Sequence, residues 1–366
     1  MRLEKVKIEH FRSIEKAEII FPLNKPVVVF GPNNVGKSNI LKAIDCMVGE
    51  KYASYIDFQD SDFFLRDKKK YPKISFSAYF DQNFKSSYPT AKSVHFSTNH
   101  KFTHYKTGEE MIENVYHYED GGQMFLSNDE REKCQFILID ATRDISRQLS
   151  YFSQYSILSR MAKKMHEVTV SQTREKLDEH FKSIKETFES VPEYKAFHER
   201  LQKSFESNVE GFEHKLEIDL SAYDPNNYFH SLRIIAKEGK DVRSFDEFGT
   251  GEQQILLMSF IKAYAETFKG ENFILGIEEP EAHLHPLAQR WLAKNINQIT
   301  QSGVQIILTT HSPEFLDIEN LEGFVKAYKV EGITNIVQNT SEKLAEKCRK
   351  LGANQNKTSP ESILPF

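Results

Sequence analysis

The sequence predicts an α/β fold with a mixed central sheet flanked by helices. Three apolar segments, residues 26–30, 272–277 and 304–309, have the composition of buried strands, and each runs into a loop that carries glycine, carboxylates or histidine. Patterns of helical period lie between them, at residues 39–48 and 255–268. Because strands that alternate with helices are typical of parallel sheets, a largely parallel centre is expected.

The composition describes a globular chain. Of its 366 residues, 39% are hydrophobic and 28% are charged, and the formal net charge is −5. This charge excludes a strongly basic protein that coats nucleic acid. No apolar run approaches the roughly 20 residues of a membrane helix, and the N-terminus is charged, so a cytoplasmic protein with no membrane partner is expected. Cys46, Cys134 and Cys348 are far apart, which disfavours a zinc site or disulfide framework.

The octet at residues 31–38, Gly-Pro-Asn-Asn-Val-Gly-Lys-Ser, fits the P-loop pattern G-x-x-x-x-G-K-[ST]. Its two glycines allow the backbone to turn its N–H groups towards phosphate oxygens. Lys37 is placed to reach the β- and γ-phosphates, and the Ser38 hydroxyl to bind Mg²⁺. An apolar strand precedes the octet and a helix follows it, which is the setting the motif requires. The sequence therefore predicts a nucleoside-triphosphate site.

A second acidic element follows the strand at residues 272–277. Glu278 stands at the end of the strand, where a carboxylate can hold Mg²⁺ or its water, and Glu279 stands next, where a general base would orient the attacking water. The alternative is a solvated acidic turn, which the apolar strand and the P-loop disfavour. The pair predicts a Walker B element.

Two further signals complete the set. His311 directly follows the strand at residues 304–309, where its ring could contact a γ-phosphate and act as a switch. Gly249, Thr250, Gly251 and Glu252 open a helix, and helix N-termini bind anions. Each has a plain structural alternative, a buried histidine and a helix-start loop. A second phosphate site makes sense if it completes the nucleotide site of another subunit.

The order P-loop, signature loop, Walker B and switch histidine resembles that of ABC-type ATPases. Residues 8–14, Ile-Glu-His-Phe-Arg-Ser-Ile, resemble the opening of the RecF and SMC repair ATPases. Residues 278–286, Glu-Glu-Pro-Glu-Ala-His-Leu-His-Pro, with residues 310–316 and 136–144, resemble the ATPase domain of the OLD (overcoming lysogenization defect) family. The resemblance covers nearly the whole chain, and the Glu-Glu-Pro-Glu stretch is its most specific part.

The resemblance implies an ABC-like P-loop head that dimerises around ATP and Mg²⁺, as a homodimer or an oligomer of dimers. It assigns metal binding to Ser38 and Glu278, the catalytic positions to Glu279, Lys37 and His311, and signature contacts made in trans to Gly249, Thr250, Gly251 and Glu252. The implied nucleotide-binding residues are Arg12, Asn33, Asn34, Val35, Gly36, Lys37, Ser38 and Asn39. One departure is Gly249, which stands where the signature normally has serine. No Q-loop glutamine stands out, with Gln59 and Gln82 as weak candidates.

The middle of the chain predicts two additions to the head. Residues 73–126 alternate as short strands with a turn at residues 120–122, which predicts an antiparallel side sheet. Residues 156–213 predict a helical hairpin with Pro192 at the start of its second arm. The predicted organisation is a discontinuous head at residues 1–150 and 216–340, an inserted hairpin at 151–215 for dimerisation or partner docking, and a C-terminal helix and tail at 341–366.

OLD proteins usually continue into a TOPRIM nuclease, and the residues after His311 contain no Asp-x-Asp pattern for such a site. The expectation is an ATPase without its own nuclease centre that regulates a separate TOPRIM or HNH nuclease, or a toxin, in antiphage defence. Two alternatives stay open. One is a RecF- or SMC-like ATPase that acts directly on DNA, with the small basic clusters at residues 68–70 and 163–164 as possible contacts. The other is a nucleotide-sensing scaffold with negligible turnover.

Overall fold

The computed structural model of the chain describes the P-loop, the other predicted motifs and most of the strands and helices next to them. The described residues are 1–49, 51–52, 55–83, 93–103, 110–117, 124, 127, 130–131, 133–140, 156, 158–159, 175–176, 179–187, 189–197, 199–200, 235–238, 241–244, 247–267, 273–282, 284–316 and 318–339. They form two compact units, Met1–Asp144 with Gly249–Phe366, and Ile145–Phe248.

The first unit is built on one eleven-stranded sheet in the order β6-β5-β4-β1-β2-β13-β12-β3-β11-β10-β7. Its strands are β1 Leu3–Phe11, β2 Ile14–Ile20, β3 Val27–Phe30, β4 Lys73–Phe80, β5 Ser93–Thr103, β6 Glu110–His117, β7 Phe136–Ile139, β10 Ile274–Glu278, β11 Gln305–Thr310, β12 Phe324–Val330 and β13 Ile333–Gln338.

The centre of this sheet is parallel, as the sequence predicts. β12, β3, β11, β10 and β7 are all joined by parallel pairing. β10 and β11 are buried almost throughout, which explains why their sequences are continuous apolar runs rather than alternating ones.

The antiparallel strands continue the same sheet. β1 pairs with β2 and β4, and β4, β5 and β6 follow by antiparallel pairing. The sequence predicts a side sheet here, and the strands are indeed antiparallel, but backbone hydrogen bonds join them to the parallel centre. Alternation of buried and partly exposed residues along β4 reflects one packed face. The turn predicted at residues 120–122 lies outside the described residues.

Among the described residues of the first unit, three long helices flank the sheet. Helix α1 is Lys37–Val48, α2 is Thr250–Thr267 and α3 is Pro286–Gln301. The buried face of α1 carries Ile40, Leu41, Ile44 and Met47, and the helix packs against the parallel strands β7, β10 and β11 and the antiparallel strands β1 and β4. Helix α2 begins five residues earlier than residue 255, where the apolar pattern starts, because the polar residues after Gly249 already form its first turn. Short 3₁₀ turns lie at Asp60–Asp62, Phe64–Arg66, Pro313–Phe315 and Ile318–Gly323.

Gly276 in the middle of β10 shows how tightly the parallel strands are packed. A Cβ atom there would lie 2.1 Å from Cζ of the Phe136 ring on neighbouring β7. Interiors are close-packed, so the aromatic ring occupies the space that a side chain at residue 276 would need. A glycine inside a strand often marks such a close approach.

The described residues of the second unit include helical segments and a pair of antiparallel strands. Residues 179–187 and 192–197 are helical, and Pro192 begins the second of these segments, as the sequence predicts. Strands β8 Ile235–Glu238 and β9 Asp241–Ser244 form an antiparallel pair. The predicted bounds of the inserted hairpin, 151–215, remain a prediction. The C-terminal helix, the lysines at 163–164 and Cys348 lie outside the described residues. Among the described residues, no helix is long and apolar enough to cross a membrane.

Candidate functional site

Three neighbouring parallel strands end at the same edge of the sheet. β3 pairs with β11 and β11 pairs with β10, so that Thr310 lies opposite Phe30, and Glu278 lies opposite Thr309. Parallel strands run in one direction, and the segments that follow them therefore emerge together. These segments are the P-loop, the loop that begins at His311 and the turn that begins at Glu279. The sheet thus brings together three motifs that are far apart in the sequence.

The P-loop backbone turns sharply into the start of α1. Gly36 immediately precedes the helix with φ of 97°, in the left-handed region. A Cβ atom at residue 36 would lie 2.3 Å from Thr334 Oγ1 and 3.0 Å from Ser13 Oγ. Backbone conformation and crowding therefore both require glycine at this position. The N-terminus of α1 follows directly, and the first N–H groups of a helix point out of its end, which suits an anionic ligand.

A chain of hydrogen bonds holds the P-loop in place through the backbone of Val35. Asn39 Nδ2 donates to Ser13 Oγ at 2.9 Å, the Ser13 and Thr334 hydroxyl oxygens are 2.7 Å apart, and Thr334 Oγ1 donates to Val35 O at 2.8 Å. Since the Thr334 proton goes to Val35, the Ser13 hydroxyl is the donor to Thr334. The chain ties residues on α1, on the β1–β2 turn and on β13 to the P-loop.

Lys37, the first residue of α1, is 6% exposed. Its ammonium donates to Gly31 O at 3.0 Å and Pro32 O at 2.9 Å, and lies 2.7 Å from His311 Nε2. An ammonium has three N–H donors and no acceptor, so Nε2 accepts and a neutral His311 carries its proton on Nδ1. Burial lowers the pKa of Lys37, and the negative charges of Glu279 and Glu281 oppose that shift.

Glu279 and His311 face each other across the ends of β10 and β11. Glu279 Oε1 lies 3.5 Å from His311 Nε2. The Glu279 backbone has φ of 45°, which is uncommon for a residue with a side chain, and its N–H donates to Thr309 O at 2.9 Å. This bond between neighbouring strands holds the unusual turn, so the direction of the Glu279 side chain is set by the sheet.

Glu281 is a member of the site to which the sequence assigns no role. Its Oε1 accepts from the backbone N–H of His311 at 2.6 Å and of Ser312 at 3.2 Å. Ser312 Oγ donates to Gln289 Oε1 at 2.8 Å, and Gln289 Nε2 donates to Leu284 O at 3.0 Å. The loop after β11 is therefore bound to the turn after β10 and to α3. The available signal was the resemblance of the Glu-Glu-Pro-Glu stretch, which marks the residue without explaining it.

Arg12 lies beside the start of α1. Its Nε donates to Asp62 Oδ1 at 2.9 Å, and its Nη1 donates to Asn39 Oδ1 at 3.2 Å. Its backbone has φ of 53° and exchanges hydrogen bonds with the 3₁₀ segments, donating to Asp62 O and accepting from Leu65 N. Arg12 therefore connects α1 to residues 60–66. Sequence patterns missed Asp62 because a lone aspartate in a loop carries no motif.

Ser38 and Glu278 offer oxygen ligands suited to Mg²⁺. Ser38 is exposed on the first turn of α1, and Glu278 is half-buried at the end of β10. Within the described residues, no group of three or more His, Cys, Asp or Glu side chains could hold a metal ion by itself. Mg²⁺ commonly binds to one or two protein oxygens together with the phosphates of a nucleotide. The donor set fits a metal that binds together with a nucleotide.

The predicted signature loop lies at the start of α2. Gly249 N donates to Glu252 Oε2 at 3.1 Å, and Gln253 N donates to Gly249 O at 3.0 Å. The buried side chain of Gln254 donates to Pro280 O, in the turn after β10. The hydrogen bonds that the structure shows for residues 249–252 are local ones. The side-chain tether of Gln254 connects their helix to the turn that carries Glu279 and Glu281.

Comparison with known families gives this site its context. Residues 1–316 match the family described as AAA ATPase domain. The chain belongs to this family. The match includes the P-loop, the predicted signature loop at residues 249–252, Glu278 and Glu279 of the predicted Walker B element, and His311. A member of this family binds nucleotide, as the P-loop predicts.

Two relatives of this AAA ATPase domain are OLD proteins. The OLD nuclease of Thermus scotoductus is 26% identical over 334 residues, which is 87% of this chain and 61% of that protein. The Old nuclease of Escherichia phage P2 is 30% identical over 111 residues, which is 29% of this chain and 19% of that protein. The chain therefore spans less than two thirds of the length of these relatives. The resemblance to the OLD family is confirmed.

Solved structures confirm the predicted fold. The Smc head domain of Pyrococcus furiosus, with an extended coiled coil and bound to the C-terminal domain of ScpA, superposes with a TM-score of 0.55 at 16% identity. The match covers 97% of this chain and 99% of that one. The AAA ATPase domain thus has an ABC/SMC-like head fold, and its sequence is similar to those of OLD nucleases.

Gly36 and Gly332 allow a matched test of the P-loop. Both have positive φ, 97° and 85°, but a Cβ atom at Gly332, in the β12–β13 turn, would meet nothing within 4 Å. Gly332→Ala should lower the free energy of unfolding by about 1–2 kcal/mol, the cost of a left-handed residue, and leave nucleotide binding intact. Gly36→Ala should lower it further and abolish binding, measured by urea unfolding and titration with a fluorescent ATP analogue. Nucleotide affinity equal to wild type in Gly36→Ala would contradict this account of the loop.

Proposed function

We propose that this ATPase binds Mg-ATP at the P-loop and hydrolyses it to ADP and phosphate. Three of the residues concerned meet at one edge of the sheet, which supports this proposal. His311 Nε2 lies 2.7 Å from Lys37 Nζ and 3.5 Å from Glu279 Oε1. Around the phosphates, backbone N–H groups of the P-loop would surround the anion and Lys37 would neutralise it. The proposed nucleotide-binding residues are Arg12, Asn33, Asn34, Val35, Gly36, Lys37, Ser38 and Asn39.

Glu279 is the proposed general base. It would accept a proton from water as the water oxygen attacks the γ-phosphorus, and the bond to the β–γ bridging oxygen would break with its electron pair leaving on ADP. His311 would donate to a γ-phosphate oxygen from the neighbouring strand end, with the proton on the ring nitrogen that faces the phosphate. When bound by Ser38 and Glu278, Mg²⁺ supplies positive charge that offsets the charge of the phosphate oxygens.

Glu279→Gln tests the enzymatic reading against the scaffold alternative. Glutamine preserves the shape of the side chain but does not accept the proton, so the rate of phosphate release should fall about 100-fold or more. The affinity for ATP should change little, because Lys37 and the P-loop are untouched. Turnover would be followed by phosphate release and binding by equilibrium titration. A wild-type rate no greater than that of the mutant would support a nucleotide-sensing scaffold.

We further propose that two copies close around ATP, so that residues 249–252 of one copy complete the site of the other. Two features of the signature loop support this proposal. Gly249, Thr250 and Glu252 are exposed at a helix N-terminus, which favours an anion. Gln254 Nε2 donates to Pro280 O in the turn after β10, so closure on one nucleotide would influence the turn that carries Glu279 in the same chain.

Mixing two inactive variants tests this arrangement. Lys37→Met removes the P-loop charge, and Gly251→Asp places a negative charge at the signature loop, so each variant alone should be inactive. In a mixed dimer, one of the two sites combines an intact P-loop with an intact signature loop. An equal mixture should therefore regain roughly a quarter of the wild-type rate if subunits exchange at random and the sites act independently. Subunit exchange would be verified by mass photometry of tagged copies. No recovery despite mixed dimers would indicate that the signature loop acts within its own chain.

The proposed biological role is control of a separate nuclease or toxin in antiphage defence. Similarity to two proteins named as OLD nucleases supports a connection with nuclease activity. Cells that express the chain with its neighbouring gene should plate phage at least about tenfold less efficiently than cells in which the chain carries Lys37→Met, because the P-loop charge is needed for ATP. Equal plating would count against the role. DNA-stimulated ATP hydrolysis by the chain alone would instead favour the RecF- or SMC-like alternative.

A further inference from the structure

Glu281 occupies an unusual place between two strand ends. Residues 279–282 form the turn after β10, and the loop after β11 begins at His311. Because Glu278 lies opposite Thr309 in parallel register, the carboxylate three residues past Glu278 reaches the peptide groups just past β11. One oxygen, Oε1, accepts both the His311 N–H at 2.6 Å and the Ser312 N–H at 3.2 Å.

These two peptide groups adjoin the Cα atom of His311, so their orientation determines where the ring lies. The ring reaches Lys37 Nζ at 2.7 Å and Glu279 Oε1 at 3.5 Å, and both of these are groups of the proposed reaction. A rotation of the 311–312 peptides would move Nε2 away from both partners, because a small backbone change is amplified along the side chain. The Glu281 carboxylate accepts hydrogen bonds from the backbone of His311 and Ser312, and is therefore placed to fix the distances from the His311 ring to Lys37 and Glu279.

The contacts of the Glu281 carboxylate indicate a role beyond stabilising the folded protein. Glu281 Oε2 is buried and has no hydrogen-bond partner among the described residues. A buried acceptor without a partner is costly, so a stabilising cap alone would favour a smaller or fully paired group. The Glu281 charge also acts on Lys37, where it helps to keep the pKa of the buried ammonium from falling further.

We propose that Glu281 is a positioning residue for ATP hydrolysis, which holds the backbone of His311 so that the ring meets both Lys37 and Glu279. This inference rests on the proposed function of His311 and extends it to a residue that does not contact the nucleotide. The essential property is a hydrogen-bond acceptor at the distance of Oε1. The negative charge is a separate property that acts on Lys37.

Three substitutions separate these properties. Glu281→Gln keeps an oxygen at the same distance and loses the charge, Glu281→Asp keeps the charge and withdraws the oxygen by one methylene, and Glu281→Ala loses both. Misplaced reacting groups can cost about 100-fold in rate, so kcat should fall by between about 10-fold and 100-fold in the Asp and Ala variants. Glu281→Gln should retain kcat within about threefold, since its carbonyl oxygen still accepts both N–H groups. Its KM for ATP should not rise while Lys37 is protonated, because one negative charge near the anionic nucleotide is removed, but KM should rise at a lower pH than in the wild type, because the pKa of Lys37 falls.

A second measurement reads the position of His311 without turnover. The chain has 13 histidines, so the ring signals of His311 in ¹⁵N-labelled, nucleotide-free protein would be assigned by their loss in His311→Ala. The Asp and Ala variants of Glu281 should shift these signals, and Glu281→Gln should not. Glu314→Ala is the matched control, because Glu314 lies on the same loop and pairs with Arg290 at 2.9 Å on the surface. It should alter neither kcat nor the His311 signals.

Combined variants give the last criterion. If Glu281 acts through His311, Glu281→Asp should reduce kcat no further in a His311→Ala background. Full additivity of the two losses, wild-type kcat in Glu281→Asp, or unshifted His311 signals in that variant would each overturn the proposal. A failure of the proposed function would look different from a failure of this proposal. In the first case, wild-type protein would release no phosphate, but the ring signals of His311 would still shift in the Asp and Ala variants of Glu281.

Discussion

The parallel pairing of β3, β11 and β10 is the constraint on which the site depends. Each strand leads into one segment of the candidate site at the same edge of the sheet: the P-loop, His311, or the turn with Glu279 and Glu281. A slip of one residue in a strand reverses the face to which every side chain points, so the buried apolar residues of these strands also fix the register of the polar residues that follow. The packing of the core therefore also determines the geometry of the candidate site.

At this edge of the sheet, the buried positive charge of Lys37 has to be stabilised by its neighbours. A buried ammonium is costly, and this one is stabilised by two P-loop carbonyls, by His311 Nε2 and by nearby carboxylates. Those same partners surround the position at which a phosphate would have to meet the lysine. The unusual backbone of Glu279, at φ of 45°, belongs to the same arrangement, because strained residues persist where the surrounding structure determines them.

The site is also connected to the rest of the first unit by single side chains. Arg12 bridges α1 and the 3₁₀ segments through Asn39 and Asp62, and Thr334 joins β13 to the P-loop. Gln254 joins α2 to the turn after β10. These discrete hydrogen bonds join α1, α2 and β13 to the loops and turns of the candidate site.

The sequence by itself determined the local chemistry of this protein: the P-loop with Gly36, Lys37 and Ser38, the paired glutamates after an apolar strand, and a histidine after another. These can be predicted because the strand, the turn and the functional residue are neighbours in the chain, and each pattern has its own physical reason. The OLD resemblance, now confirmed, came from stretches of the same short kind.

Only the tertiary structure decided which distant residues meet. It made the antiparallel strands part of one continuous sheet, started α2 at Thr250, and set Asp62 against Arg12 and Thr334 beneath Gly36. It also placed Glu281 on the peptides of His311 and Ser312. None of these follows from local periodicity, because each depends on strand order and register between segments up to 321 residues apart, as for Ser13 and Thr334.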